Sequence, residues 1–222
     1  MTIDLSCADE LLTTTRGVRR RLDFDKPVAR SILEECVDIA LQAPVGSAAS
    51  HFLILLDDTI KQQVAKFYRQ AAIPYIDELE KSALSPAPRG SARFWSKNAG
   101  PDQIRKVHNN YRWFNSVLHR APALVIVVGE GRLECGSLFD QATAYGEVIP
   151  AAWSFMLAAR SRGLGALWTT LHLKYAAEIG ELLGVPENYT QVVLLPVGYY
   201  KGERFGRATR RPAAETIHWD RW

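Results

Sequence analysis

The stretch APALVIVVG, residues 121–129, constrains the fold more than any other part of this chain. It is apolar throughout, so it predicts a strand that is buried on both faces. Such a strand requires further structure packed on each side of its sheet. Three more stretches predict strands: HFLILLDD (51–58), GLGALWTTLHL (163–173) and QVVLLPVGYY (191–200). The first of these is also expected to be buried.

Helical patterns alternate with these strands. Apolar residues recur at three- and four-residue spacing between Val28 and Leu41, and further helices are predicted over residues 5–15, 59–80 and 176–184. The stretch 136–163 is apolar almost all round, and it predicts either one long helix or two helices broken near Gly146 to Pro150. With no internal repeat and no dividing linker, the pattern predicts one three-layer domain, α+β or α/β, over residues 1–222.

The positive charge is concentrated in two clusters. The chain has 27 Lys and Arg against 24 Asp and Glu, a net charge of +3, which is too even a balance for a dedicated nucleic-acid-binding protein. The clusters consist of Arg16, Arg19, Arg20 and Arg21, and of Arg204, Arg207, Arg210 and Arg211. They are either ordinary solvated surface or two halves of a site for one phosphate group.

The three cysteines, Cys7, Cys36 and Cys135, have no CxxC or other metal-ligand spacing. A sparse, odd number argues against a disulfide framework and favours a reducing cytoplasm. The opening residues MTIDLSCADELL do not resemble a signal peptide, and no apolar run reaches the ~18 residues of a membrane-spanning helix. We therefore expect a cytoplasmic protein with no metal site and no membrane partner.

Residues 82–103, SALSPAPRGSARFWSKNAGPDQ, predict a long connection. Loops of this length are usually functional or mobile, so the region 82–115 is a candidate lid or excursion. Phe94 and Trp95 either cover a substrate pocket or attach the loop to the core.

Standard catalytic motifs are absent from the sequence. It contains no G-x-S-x-G, P-loop, G-x-G-x-x-G or HExxH pattern, and its five histidines are scattered. No catalytic side chain is therefore predicted. Glycine turns together with arginines favour a bound cofactor that supplies its own reactivity.

Three blocks of sequence carry a family pattern. They are TRGVRRRLDFDKPVARSILEECVDIALQAPVGSAASHFLIL (15–55), AAWSFMLAARSRGLGALWTTLHL (151–173) and LLGVPENYTQVVLLPVGYYKGERFGRATRRPAAETIHW (182–219). Their order and motifs resemble the nitroreductase family of FMN-dependent enzymes. The resemblance implies an α+β, three-layer α/β/α fold with a central mixed sheet, assembled as an intertwined homodimer with FMN at the interface.

The resemblance also assigns residues to the cofactor. The N-terminal motif and an arginine near the C-terminus hold the FMN phosphate in that family, where arginine supplies a planar fork of donors. The turn after the central helix lies near the flavin ring. Carried over, the expected cofactor contacts are Arg16, Gly17, Val18, Arg19, Arg20, Pro44, Val45, Gly46, Ser47, Ala48, Ser50, Gly163, Leu164, Gly165, Arg210 and Arg211. For Gly163 and Gly165, an ordinary helix C-cap is a second interpretation, and both can hold. Phe94, Trp95 and Trp153 are expected in the substrate pocket.

Several family side chains are replaced in this chain. Gly17, Ala48 and Ser50 stand where the family has serine, asparagine and glutamine, and Trp153 stands where relatives often carry glutamine. These changes remove hydrogen-bond donors and make the pocket more apolar.

The implied activity is ping-pong electron transfer from NAD(P)H through FMN to a nitroaromatic, quinone or similar electron-poor acceptor. A flavin-binding storage or sensor protein with little turnover is the alternative. A third hypothesis is a relative that degrades flavin or dehalogenates an aromatic ring.

Overall fold

The computed structural model describes residues 4–44, 50–82 and 101–222. Over these residues the chain forms six α-helices and four β-strands. The helices are α1 (Leu5–Thr14), α2 (Arg30–Ala40), α3 (Asp58–Ser82), α4 (Pro101–Val117), α5 (Leu138–Ser161) and α6 (Ala176–Leu183). The strands are β1 (Ser50–Leu55), β2 (Ala123–Glu130), β3 (Leu164–Ala166) and β4 (Tyr189–Tyr199). None of these helices is long and apolar enough to cross a membrane.

The predicted α+β class is confirmed, with one correction to the sheet. The strands lie in the order β1-β2-β4-β3, and all three pairings between them are antiparallel rather than mixed. Between β1 and β2 the chain runs out along α3 and back along α4, and these helices pack against each other. The chain therefore re-enters the sheet at the end where β1 finishes, so that Leu55 pairs with Leu124.

Strand β2 is buried on both faces, as predicted. Ala123, Val125 and Val127 belong to a core formed with α2 and α5, whereas Leu124, Ile126 and Val128 belong to a core formed with α3 and α4. The alternation of side chains along a strand produces this division. It places one helical layer on each face of the sheet, which confirms the three layers.

Strand β1 is less buried than its apolar sequence predicted. It lies at an edge of the described sheet and pairs only with β2. Its end residues Ser50 and Leu55 are buried, His51 is exposed, and the three residues between them are half-buried. The prediction was wrong because the apolar composition does not reveal which strand lies at an edge.

Three further boundaries were decided by the structure. The stretch 136–163 forms the single helix α5, which continues through Pro150 and starts with a capping box between Ser137 and Asp140. The third predicted strand is short, because β3 ends at Ala166 and a 3₁₀ turn occupies Leu171–Tyr175. Residues 101–115 of the predicted lid belong to α4. Phe94 and Trp95 lie outside the described residues.

Candidate functional site

The arginine-rich segment after α1 is anchored by its apolar residues. Val18 and Leu22 are buried, and the Val18 N–H donates to the Ala166 carbonyl oxygen at 2.9 Å. Leu22 forms an isolated bridge with Tyr200, just beyond β4. These contacts fix the backbone of the segment that carries Arg19, Arg20 and Arg21.

The glycine turn after α5 packs against this segment. Gly163 has φ +76°, a left-handed conformation that ends the helix, so the C-cap interpretation is confirmed for this residue. Leu164 and Gly165 pair with Tyr199 and Gly198 in the sheet. A Cβ atom at Gly165 would come within 2.9 Å of Val18. The structure therefore brings two of the predicted cofactor segments together.

The C-terminal segment, at residues 204–206, also contacts the arginine segment. The Arg16 Nη1 donates to the Gly206 carbonyl oxygen at 2.9 Å. A cleft of about 350 Å³ forms where the segments meet. It is lined by Arg16, Gly17, Val18, Arg19, Arg20, Arg21, Asn110, Arg204, Phe205 and Gly206.

Aromatic residues of α4 hold two of the arginines. The Arg19 guanidinium lies 5.3 Å from the centre of the Tyr111 ring, and that of Arg20 lies 4.8 Å from the Trp113 ring. The Arg20 Nε also donates to the Asn110 Oδ1 at 2.5 Å. These α4 contacts were not predicted, because no sequence motif links α4 to the arginine segment.

The cleft is electropositive and lacks a protein counter-ion. Within the described parts of the chain, no Asp or Glu lines it, and none forms an ion pair with its five arginines. The Arg19 Nε is buried and finds no hydrogen-bond acceptor in the described part of the chain. A buried charged donor without a partner is unfavourable. The site therefore suits an anion with several acceptor oxygens, such as a phosphate monoester.

The two arginines carried over from the family ending lie elsewhere. Arg210 and Arg211 are exposed and do not line the cleft, and the Arg210 Nη1 donates to the neighbouring Thr209 carbonyl oxygen at 3.3 Å. Within this chain, Arg204 is the C-terminal arginine that reaches the N-terminal cluster. The sequence showed a second basic cluster, but it could not show which member faces the first.

Pro44 and Ser50, the two described residues of the predicted segment 44–50, do not line the cleft. Ser50 pairs with Gly129, which in turn pairs with Thr190, whereas the glycine turn pairs with the opposite end of β4 near Val197. Thr190 and Val197 are about 20 Å apart at the usual rise of a strand. Pro44 is exposed, and Val45, Gly46, Ser47 and Ala48 lie outside the described residues.

Trp153 lies on the outer surface of α5, where its side chain is 38% exposed. The same helix exposes Leu138, Phe139 and Ile149. An apolar face of this kind is typical of an interface between proteins.

Comparison with known proteins identifies the family to which this fold belongs. The family model described as the nitroreductase family matches residues 13–199. This chain belongs to the nitroreductase family. The match includes the arginine segment, the glycine turn and all four strands, and it ends at the last residue of β4.

Individual relatives are distant. A protein of Archaeoglobus fulgidus named as a putative NADH dehydrogenase/NAD(P)H nitroreductase is 26% identical over 159 residues, which cover 69% of this chain and 89% of that protein. An iodotyrosine deiodinase structure with FMN and 3-iodo-L-tyrosine has a TM-score of 0.65 at 21% identity and covers 92% of this chain and 95% of its own. The NADPH:FMN oxidoreductase of Vibrio harveyi with NAD⁺ has a TM-score of 0.66 at 15% identity, covering 96% and 77%. At these identities the structures establish the fold.

Proposed function

We propose that this protein is an FMN-dependent oxidoreductase that passes electrons from NAD(P)H to a nitroaromatic, quinone or similar electron-poor acceptor. The observation that carries the proposal is the arginine-lined cleft between the N-terminal arginine segment and the C-terminal segment of a nitroreductase-family chain, with the glycine turn packed against Val18 of the same arginine segment. The names of the relatives, which include NAD(P)H nitroreductase and NADPH:FMN oxidoreductase, support the same reaction class.

The arginines of the cleft would hold the FMN phosphate. Arg16, Arg19 and Arg20 present fork-shaped donors, and Arg204 adds a fourth positive charge. The α4 contacts fix Arg19 and Arg20 before the ligand arrives, so less side-chain entropy is lost on binding. Arg210 and Arg211 would contribute to the phosphate site only in an assembly in which a second chain binds the exposed tail.

The glycine turn would approach the flavin ring. Gly163 and Gly165 have no side chains, which lets backbone groups come close to a planar ligand. Bound FMN would supply the redox chemistry, a two-electron transfer between NAD(P)H and the acceptor. The protein's part is to bind and orient both substrates over one flavin face in turn, which produces ping-pong kinetics.

The complete site is proposed to use a second copy of the chain. Ser50 pairs at the end of the sheet away from the glycine turn. Within one chain, Ser50 and the glycine turn are therefore separated by about the length of β4. We propose an intertwined homodimer in which each site uses residues 44–50 of the partner subunit. The exposed apolar face of α5 and the exposed Trp219 and Trp222 support an extensive contact.

The proposal extends to the cell compartment and the domain organisation. Cys7, Cys36 and Cys135 are all free thiols, which agrees with a reducing cytoplasm. The chain is proposed to be one flavin-binding domain over residues 1–222, with residues 83–100 and their Phe94 and Trp95 near the substrate pocket.

An absorbance spectrum tests the function directly. The purified protein is measured with and without added FMN, and then mixed anaerobically with NADH or NADPH. Flavin bands that bleach, and that return on adding a benzoquinone or a nitrobenzene, are the expected result. Flavin that binds but resists reduction would favour the storage or sensor alternative, and no flavin binding would overturn both.

A further inference from the structure

The segment that follows β4, residues 201–206, forms one wall of the cleft, and few contacts within the segment fix its conformation. Residues 201–204 are exposed and polar, and Gly202 has a positive φ of +86°. The position of Arg204 and Gly206 opposite Arg16 must therefore be set by contacts from elsewhere in the chain. Arg21 makes most of them.

Arg21 is bound to this wall at several points. Its Nε donates to the Lys201 carbonyl oxygen at 2.7 Å, and its Nη1 donates to the Arg204 carbonyl oxygen at 2.8 Å. Its own carbonyl oxygen accepts from the Lys201 N–H at 2.7 Å. The guanidinium lies 4.0 Å from the centre of the Phe205 ring. Two of the five N–H donors of its guanidinium are therefore committed to backbone carbonyl oxygens.

Two neighbours complete this arrangement. Arg160, at the end of α5, donates to the Tyr200 hydroxyl and lies 4.8 Å from the Phe205 ring centre. A Cβ atom at Gly202 would lie 2.8 Å from the Arg21 Nη2, so a side chain at this position would displace the guanidinium. The aromatic rings of Tyr200 and Phe205 are themselves in edge contact at 4.8 Å.

We propose that Arg21 is a positioning residue that builds the phosphate-binding wall of the cleft, and that it sets the preference for phosphorylated over unphosphorylated flavin. Arg21 holds residues 201–206 so that Arg204 and the Gly206–Arg16 contact face Arg19 and Arg20. This inference rests on the proposed FMN site, because the ligand phosphate is what the wall would meet.

The test compares FMN with riboflavin, which lacks the phosphate. Dissociation constants for both are measured on flavin-free protein for the wild type, Arg21→Ala, Arg21→Lys and Gly202→Ala. The ratio of the riboflavin dissociation constant to the FMN dissociation constant measures the preference for the phosphate. Each variant should lower this ratio by about tenfold, because charge-assisted contacts are lost. Lysine keeps the charge but cannot bridge two carbonyl groups, and Gly202→Ala displaces the guanidinium without removing it.

Arg207→Ala is the matched control. It removes the same charge from an exposed tail arginine that makes no hydrogen bond or ion pair with the described residues and does not line the cleft. Its ratio is expected to equal that of the wild type. If Arg21→Lys had the same ratio of dissociation constants as the wild type, charge alone would matter and the proposal would be overturned. Equal weakening of both flavins in Arg21→Ala would also overturn it, since general loosening does not single out the phosphate.

Proteolysis separates this inference from the proposed function. Cleavage by trypsin after Arg204, a bond present in every variant, should be about tenfold faster in Arg21→Ala than in Arg207→Ala, because the wall opens locally. If the wild-type protein binds neither flavin, the proposed function fails, and an unchanged cleavage rate in Arg21→Ala then refutes the positioning role as well.

Discussion

Gly165 lies directly against Val18, and a Cβ atom added at Gly165 would come within 2.9 Å of the Val18 Cβ. This contact joins the glycine turn to the arginine segment, two parts of the chain that the family pattern assigns to opposite ends of one flavin. Its closeness explains why a residue without a side chain stands in the middle of β3.

Replacing Gly165 by alanine is expected to destabilise the protein by about 1–3 kcal/mol, the usual effect of overpacking a buried contact. The melting temperature should fall by several degrees, and flavin binding should weaken because the arginine segment shifts. Gly146→Ala is the control, since a Cβ atom there meets no heavy atom within 4 Å and alanine favours the helix. Equal melting temperatures for Gly165→Ala and wild type would contradict the packing argument.

Arg16→Ala is expected to weaken FMN binding about tenfold or more while leaving riboflavin binding nearly unchanged. Arg16 loses both its donors to the phosphate and its 2.9 Å bond to Gly206. The difference between Arg16→Ala and wild type should shrink as salt is raised, since ions screen an exposed charge. Binding is measured by quenching of flavin fluorescence.

The control for this change is Arg69→Ala, which removes an exposed arginine of α3 away from the cleft. Arg210→Ala is informative beside it. Normal FMN binding in Arg210→Ala with weak binding in Arg16→Ala would support Arg204 as the C-terminal partner. Unchanged FMN binding in Arg16→Ala would refute the phosphate assignment.

Removal of the chain after Gly206 should abolish both the dimer and flavin binding. The tail carries Ile217, Trp219 and Trp222, whose side chains are 48%, 83% and 100% exposed, so their apolar surface has no cover within the described chain. Sedimentation and absorbance measure the two losses. A truncated protein that stayed dimeric and yellow would rule out the intertwined assembly.

A milder variant keeps that test interpretable if truncation prevents folding. Trp219→Ala together with Trp222→Ala should raise the dimer dissociation constant without changing the helical content. The circular dichroism spectrum provides the check on folding, and unchanged dimer stability would argue that the tail packs on its own subunit.

His172 makes stability depend on pH. The side chain is fully buried, neither ring nitrogen has a hydrogen-bond partner among the described residues, and burial lowers the pKa of the imidazole to about 3 from its ordinary value of 6.5. Between about pH 3 and pH 6.5, the imidazole of the unfolded chain binds a proton, whereas the imidazole of the folded chain does not. Stability is therefore complete above pH 6.5 and falls as the pH decreases, by about 2 kcal/mol between pH 7.5 and pH 5.

Replacing His172 by leucine removes this dependence and should flatten the decline over that range. Denaturant unfolding at several pH values measures it, with His51→Leu as the matched change at an exposed position. If His172→Leu lost stability between pH 7.5 and pH 5 as steeply as wild type, another group would have to be responsible.

Local features of the fold could be predicted from the sequence because they depend on side chains close together in the chain. The run around Leu124, Val125 and Ile126 is apolar throughout, which predicts a strand buried on both faces. Successive side chains of a strand point to opposite faces, so these residues alternate between the two cores. The helix over Arg30–Ala40 and the C-cap at Gly163 follow likewise from spacing and from the freedom of glycine. The family resemblance extended this to the class of the fold.

Tertiary structure alone decided which distant residues meet. The register of β2 and β4 separates Ser50 from the glycine turn by about the length of a strand. The packing of α4 places Tyr111 and Trp113 beneath Arg19 and Arg20. The path of the tail puts Arg204, not Arg210, in the cleft. These relations depend on strand order and helix packing, which combine contacts across the whole chain and leave no local pattern.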